Sequence, residues 1–167
     1  GIVFIKMAQI AASRNDFDPP IPKKLVSKMK NLQDKCFYKN DKSIFNDLKN
    51  IDFIEKDPIA AGSIASIYLI NYNNETCVLK KTNYNIENKF KNSKKNLLLI
   101  VKLLSIFTNY NLTNIIQFDD YFDYLYSQTM MDKESEQQRK FIKIFKNYQK
   151  IIIPNIRFNN KTSIIMK

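Results

Sequence analysis

Asp57-Pro-Ile-Ala-Ala-Gly-Ser-Ile-Ala65 runs into Ser66-Ile-Tyr-Leu-Ile70, and after Asn71-Tyr-Asn-Asn-Glu75 the chain continues as Thr76-Cys-Val-Leu-Lys80. Residues 64–70 and 76–80 are apolar or β-prone, and the turn-formers between them predict a β-hairpin. Alternation puts Val78 and Lys80 on one face of the second strand, with Cys77 and Leu79 on the other. A lysine on an apolar strand face is costly to bury unless a carboxylate or a phosphate neutralises it. The plainer reading of a strand-end lysine is one that snorkels to water. Ahead of the hairpin, Gly62 is one of only two glycines. A backbone need is expected there, either a positive φ or the close approach of a ligand. Small residues at Ala60, Ala61, Gly62 and Ser63 leave main-chain N–H groups open to a phosphate. The spacing is neither a P-loop nor GxGxxG, and a tight turn alone also explains it.

Outward from this hairpin the chain is helical on both sides. Residues 1–14 read as an apolar-rich helix, broken by Asp16-Phe-Asp-Pro-Pro20. Leu25, Met29, Leu32 and Cys36 recur on one face of a second helix. The segment 38–57 is mixed, with a short helix expected around 44–48. Residues 82–96, rich in Asn and Lys, read as a polar connection, and 97–107 as a mostly buried helix. A long helix is expected over 132–149, carrying Phe141, Ile144, Phe145 and Tyr148 on one stripe. A second hairpin closes the chain, with strands at 155–158 and 163–166 turning at Asn159-Asn160-Lys161. Helices, a hairpin, helices and another hairpin suit an α+β fold in which a small antiparallel sheet packs against a helix.

Glu134 offers Lys80 a partner. It precedes Phe141 by seven residues and so falls within ~20° of that residue's face on a 3.6-residue helix. An ion pair would explain both charges; an exposed place in the first helical turn, favoured by the macrodipole and shared with Asp132 and Glu136, would explain Glu134 alone.

Composition excludes more than it selects. The 167 residues carry a net charge of +11, yet contain no histidine, which removes His-based triads and most zinc sites. Cys36 and Cys77 are too few for a disulfide framework and have no metal-ligand spacing. The basic residues are nearly all lysines, the arginines being Arg14, Arg139 and Arg157. Scarcity of the planar guanidinium fork argues against a specific nucleic-acid reader. A solvated lysine surface remains, able to be drawn weakly to an anionic membrane. The longest apolar run, 97–107, is interrupted by Lys102 and Ser105 and falls short of the ~20 residues that span a bilayer. No targeting segment is visible, and a start at Gly1 with an end inside an apolar run suggests a piece of a longer protein.

Several of these residues together resemble the UbiB/ADCK (aarF-domain) family of atypical protein-kinase-like proteins. Phe4-Ile-Lys6-Met-Ala-Gln9 is similar to its KxGQ motif, with Arg14 and Asp16 following, and Leu32-Gln-Asp34 resembles the close of its next helix. The run from Pro58 through Ala60, Ala61, Gly62 and Ser63 to Ile64 resembles the alanine-rich loop over the nucleotide. Val78-Leu-Lys80 looks like the β3 lysine motif of kinases, Glu134 the helix-C glutamate, and Pro154 with the closing hairpin the approach to the hinge.

The resemblance implies a kinase-like N-lobe without its C-lobe, at 53–167, preceded by a helical KxGQ extension at 1–52. It implies ATP or ADP held by Lys80, Glu134 and the 60–63 loop, with Lys6 and Gln9 entering from the extension. Magnesium ligands and catalytic residues are expected beyond this chain, in the catalytic loop and an Asp-Phe-Gly-like motif, so residues 1–167 alone should not turn over ATP. It further implies peripheral membrane or lipid contact, a mitochondrial or plastid setting, and support of quinone metabolism such as that of ubiquinone. Some positions depart from the family. Ala8 replaces the glycine of KxGQ, Gly62 an alanine, and Val78 the alanine two before the lysine. The family's ExD pair, counted back from Glu134 without gaps, falls on Gln128 and Met130, unless a gap lets Asp132 substitute. Lys167 stands where the hinge glutamate is expected. Loss of those carboxylates suits a rival reading, a degenerate pseudokinase-like scaffold that binds a partner or lipid.

Overall fold

The computed structural model describes residues 1–13, 21–34, 42–108 and 118–167. In chain order the elements are α1 (Ile2–Ser13), α2 (Lys23–Asp34), a 3-10 helix (Lys42–Phe45), β1 (Ile51–Phe53), β2 (Ala60–Ala61), β3 (Ala65–Tyr72), β4 (Glu75–Thr82), α3 (Ile86–Thr108), α4 (Phe118–Ser127), α5 (Met131–Ile144), β5 (Ile156–Asn160) and β6 (Ser163–Met166). The expected order of helices and two hairpins is present, and the class is α+β. Arg14, Asp16 and Cys36 lie outside the described residues. The chain divides into two compact units, Gly1–Cys36 with Asn85–Ser127, and Phe37–Tyr84 with Gln128–Lys167.

The second unit is built on an antiparallel sheet ordered β1-β3-β4-β6-β5, with β2 also paired to β3. The β3–β4 hairpin turns through Asn73 and Asn74 alone, at φ 51° and 64°. Two consecutive left-handed residues match the right-handed twist of the flanking strands, and asparagine tolerates that conformation. The tighter turn lengthens both strands beyond 64–70 and 76–80. All four described non-glycine residues with positive φ are asparagines, at 50, 73, 74 and 85, whereas neither glycine has one.

Strand alternation gives the sheet two different faces. On one, Tyr68, Ile70, Cys77, Leu79 and Ile165 form a buried cluster, backed by Phe45, Leu48, Ile51, Tyr72 and Phe158. Phe45, Phe53 and Tyr68 meet edge to face, with centroids 4.7–5.7 Å apart. The other face carries Val78, Lys80, Ile164 and Met166, in the register Val78↔Met166 and Lys80↔Ile164. Against β5 and β6 lies α5, started by a hydrogen bond from the Met131 N–H to the Lys161 carbonyl (3.0 Å). Gln138 Nε2 donates to the Pro154 carbonyl (2.7 Å), and Arg139 donates to Asn159 Oδ1 (2.8 Å).

The inward residues of α5 are Met131 and Ser135, both fully buried. The stripe of Phe141, Ile144, Phe145 and Tyr148 does not form the expected core contact: Phe141 is 51% exposed, and Ile144 and Tyr148 are more so. The helix ends at Ile144 instead of 149, which places Phe145 and Tyr148 in the turns beyond it.

In the first unit, Ile86, Phe90, Ser93, Leu97 and Val101 make one buried line along α3. Residues 86–96 are therefore helix rather than the expected polar connection. The stripe is carried by one residue in three or four, and the intervening Asn and Lys hide it from a composition reading. Ser93 Oγ accepts a hydrogen bond from the Val3 N–H (3.1 Å) at the start of α1. Gly1 lies so close to Ser93 that a Cβ there would come within 2.4 Å of Oγ. The expectation of a mostly buried helix over 97–107 fails for the same geometric reason. Only one side of α3 faces the unit, and Leu99, Leu103, Ile106 and Phe107 are exposed. Phe90 packs against Phe122 and Tyr126 of α4, a helix that the sequence reading missed.

Candidate functional site

Lys80 leaves β4 on the α5 side of the sheet, and its Nζ donates to Glu134 Oε1 at 2.5 Å. The lysine side chain is 27% exposed and the glutamate 38%. The pairing is as expected, but the supporting reason needs correction. Glu134 does not extend a buried Phe141 stripe; it sits one turn into α5, between the buried Met131 and Ser135. It occupies the first turn and pairs with Lys80 as well, so the two readings of this residue are compatible.

The 60–63 loop comes to the same face through register. Ala60 pairs with Ile67, Ile67 with Lys80, and Lys80 with Ile164, so all four stand in one row across the sheet. Beyond Ala61 the chain folds into a closed turn. The Gly62 N–H donates to the Ala65 carbonyl (2.9 Å), and Asn83 Nδ2 donates to the Gly62 carbonyl (2.9 Å). Asn83 also donates its N–H to the Ile64 carbonyl (2.8 Å) and accepts from Ser66 Oγ (2.8 Å).

Two expectations for Gly62 are thereby corrected. Its φ is not positive, and its N–H is bonded within the turn instead of open to a phosphate. The close approach is to its own backbone, since a Cβ would lie 3.3 Å from the Ala65 carbonyl oxygen. Ala61, Gly62 and Ser63 are half-buried and Ala60 exposed. Lys6 and Gln9 lie on α1 in the other unit, both half-buried and each engaged by a neighbouring group.

The sequence reading missed the most buried charge near this site. Lys81, one residue after Lys80, points to the opposite face, where its side chain is 3% exposed. Its Nζ donates to both Asp47 oxygens (2.7 and 2.8 Å), to Thr162 Oγ1 (2.8 Å) and to Ser163 Oγ (2.9 Å). Asn160 Nδ2 donates to Asp47 Oδ2 as well (3.0 Å). Burial pushes the Lys81 ammonium below the usual lysine range, more than Asp47 restores. Burial also pushes the Asp47 carboxyl up, but the hydrogen bonds from Lys81 and Thr162, with the Lys81 charge, carry it below the usual carboxylate range. The signal was available: ending the strand at residue 80 cut off Lys81, whereas continued alternation places it beside Cys77 and Leu79.

Among the described residues no group of three or more His, Cys, Asp or Glu could hold a metal ion, and no helix is long and apolar enough to cross a membrane.

A half-exposed strand lysine held by a glutamate of the helix packed on its sheet is the arrangement of a kinase-like N-lobe. The sequence model of the ABC1 atypical kinase-like domain matches residues 23–167, and this chain belongs to that family. The matched region includes Lys80, Glu134 and the 60–63 loop, but starts after Lys6 and Gln9. Among solved structures, the complex of Rv3197 with erythromycin from Mycobacterium tuberculosis is similar in fold, with a TM-score of 0.54 at 15% identity. The likeness covers 100% of this chain, which spans 40% of the length of that protein. Among curated proteins no sequence matches.

Proposed function

We propose that residues 1–167 form the nucleotide-facing half of an ABC1-type atypical kinase or ATPase, with Lys80 meeting the phosphates of ATP or ADP. The observation that carries this reading is the Lys80–Glu134 pair, in the same sheet row as Ala60. Glu134 holds the lysine in one place, while partial exposure leaves its ammonium within reach of an anion. Residues fully committed to a structural pair, as Lys81 is, have no such access. Magnesium and the groups that would activate a nucleophile enter this reading through residues beyond Lys167. Quinone-linked lipid metabolism is the setting that the resemblance suggests.

The test is a titration of adenine nucleotide with magnesium into a protein carrying both lobes. Lys80→Ala removes a charge-assisted contact, and the expected loss of affinity is about 10- to 100-fold. Glu134→Gln should cost less, because it leaves the ammonium present but less well placed. Unchanged affinity in Lys80→Ala would remove the basis for the reading. The scaffold reading would then take its place, favoured by the internally bonded Gly62 N–H and by Gln128 and Met130 at the ExD positions.

A further inference from the structure

The turn between β5 and β6 serves both faces of the sheet. On the α5 side, the Lys161 carbonyl accepts the Met131 N–H (3.0 Å) that starts the helix, and Glu134 follows within one turn. On the other side, the neighbouring Thr162 Oγ1 donates to Asp47 Oδ2 (2.9 Å) and accepts from Lys81 Nζ (2.8 Å). The Thr162 carbonyl also accepts the Thr82 N–H (2.9 Å), which ties the turn to the end of β4. Asp47 is fixed from its own side, between Phe45 and Leu48, which both pack on the buried cluster. The Lys81 ammonium therefore joins three parts of the unit: Asp47, Thr162 in the turn, and Ser163 at the start of β6. It does so where β4 pairs with β6 in the register Lys81↔Ser163 and Lys80↔Ile164. Lys80 and Glu134 thus hang from the same turn, one through β4 and the other through α5.

We infer that Asp47 and Thr162 are positioning residues for the Lys80–Glu134 pair, acting through Lys81 and the β5–β6 turn. The pair itself is partly exposed, at 27% and 38%, and an ion pair of that kind holds two long side chains only weakly. Its persistence depends on backbones that already stand at the right separation and angle. The anchor behind it is stiffer. Any roll or slip of β4 at residues 80–81 would pull a buried ammonium from its partners, which is far more costly than parting an exposed pair. Stability alone does not account for a charge at position 81. Apolar residues in place of a buried ion pair are often as stable or more so, and the best-attested use of such a pair is to fix register. An apolar residue at 81 would simply have continued the face of Cys77 and Leu79. As a statement about affinity, the inference rests on the nucleotide reading of Lys80; as a statement about geometry, it does not.

The test reads the pair directly. An amine paired with a carboxylate is acylated more slowly than a free one, and trace labelling of the folded protein with acetic anhydride, resolved residue by residue by mass spectrometry, gives the rate at each lysine. Glu134→Gln sets the scale and should speed labelling of Lys80 by about two- to fivefold. Thr162→Val should reproduce at least half of that rise, and Thr162→Ser, which keeps the hydroxyl, should stay at the wild-type rate. Asp47→Asn should act as Thr162→Val does. It is the more damaging to folding and changes a charge, whereas Thr162→Val does neither so strongly, so the test survives the loss of one variant. Exposed Lys95 and Lys140 are the controls and should label at unchanged rates in every variant. A second arm titrates adenine nucleotide with magnesium into a protein carrying both lobes. Thr162→Val should weaken binding by about two- to fivefold, and should add nothing in a Lys80→Ala background.

Lys80 labelling that ignores both Thr162→Val and Asp47→Asn would overturn the inference, as would a Glu134→Gln rate equal to wild type, since no pair would then be held. An equal rise at Lys95 and Lys140 would mean general loosening and overturn it too. So would an affinity loss by Thr162→Val that persists in Lys80→Ala, because the turn would then act on the site without the pair. If Lys80→Ala leaves nucleotide affinity intact while Lys80 labelling still follows Thr162, the nucleotide reading falls and the positioning role stands.

Discussion

Replacing Asp47 with asparagine leaves the Lys81 ammonium buried with only hydroxyls and an amide around it. The expected cost is about 1–3 kcal/mol, at the lower end for a buried pair because the Asp47 side chain is 41% exposed and water can partly take its place. Urea unfolding of wild type and Asp47→Asn measures it. The pH dependence follows from the shift directions. A carboxyl held below its ordinary value contributes stability that is present above the unfolded value of about 3.9 and is lost as pH falls through the folded one. The two proteins should therefore differ fully near neutrality and converge in acid. A difference that persists unchanged there would show that the Asp47 charge does not matter. For Lys81 the sign is opposite in origin: a lowered lysine value means that the folded state carries the charge at a cost below that value. Stability from this group rises with pH as the folded state releases its proton, up to the unfolded value of about 10.4. Neighbouring lysines thus have different tasks, Lys81 locking the face under the 3-10 helix and Lys80 remaining reachable on the other.

Among the elements, the β3–β4 hairpin depends on its two asparagines. Asn74→Val places a β-branched side chain at φ 64° and should cost about 1–2 kcal/mol, read as a lowered urea midpoint with an unchanged slope. No loss of stability would mean that the turn relaxes to another conformation. This hairpin was legible because both strands are continuous β-prone runs around a polar turn, and so was the closing hairpin. The helices were less so. The inward line of α3 consists of Ile86, Phe90, Ser93, Leu97 and Val101. Its first half is diluted by Asn and Lys, and its second half is hidden in apolar residues all round. Periodicity fails at both extremes, where too few or too many positions are apolar to mark one side. β1 and β2 are three and two residues long and are fixed by pairing with β3, so no local pattern announces them.

For the whole chain, a charge of +11 predicts loose attraction to any polyanion, weakening steeply with salt and indifferent to base sequence. Heparin or RNA retention should be barely altered by Lys80→Ala and should fall when exposed lysines such as Lys95 are replaced. Lys94 is a poorer choice, since it pairs with Asp119 (3.3 Å) and lies 4.6 Å from the Phe122 ring centroid. Salt-resistant, sequence-selective RNA binding would contradict this expectation. Residue order alone was enough to fix the α+β class, the two hairpins and the kinase-like family, because each rests on local patterning or on motifs read along the chain, whereas for Glu134 it left a pair with Lys80 and an exposed first-turn place both open. It could not fix which charges are buried, which N–H groups the 60–64 turn consumes, or which apolar residues stay in water. Those depend on what each face meets once distant segments pack: Lys81 is buried because Asp47 and Thr162, 34 and 81 residues away, close over it, whereas Ile152 stays 91% exposed.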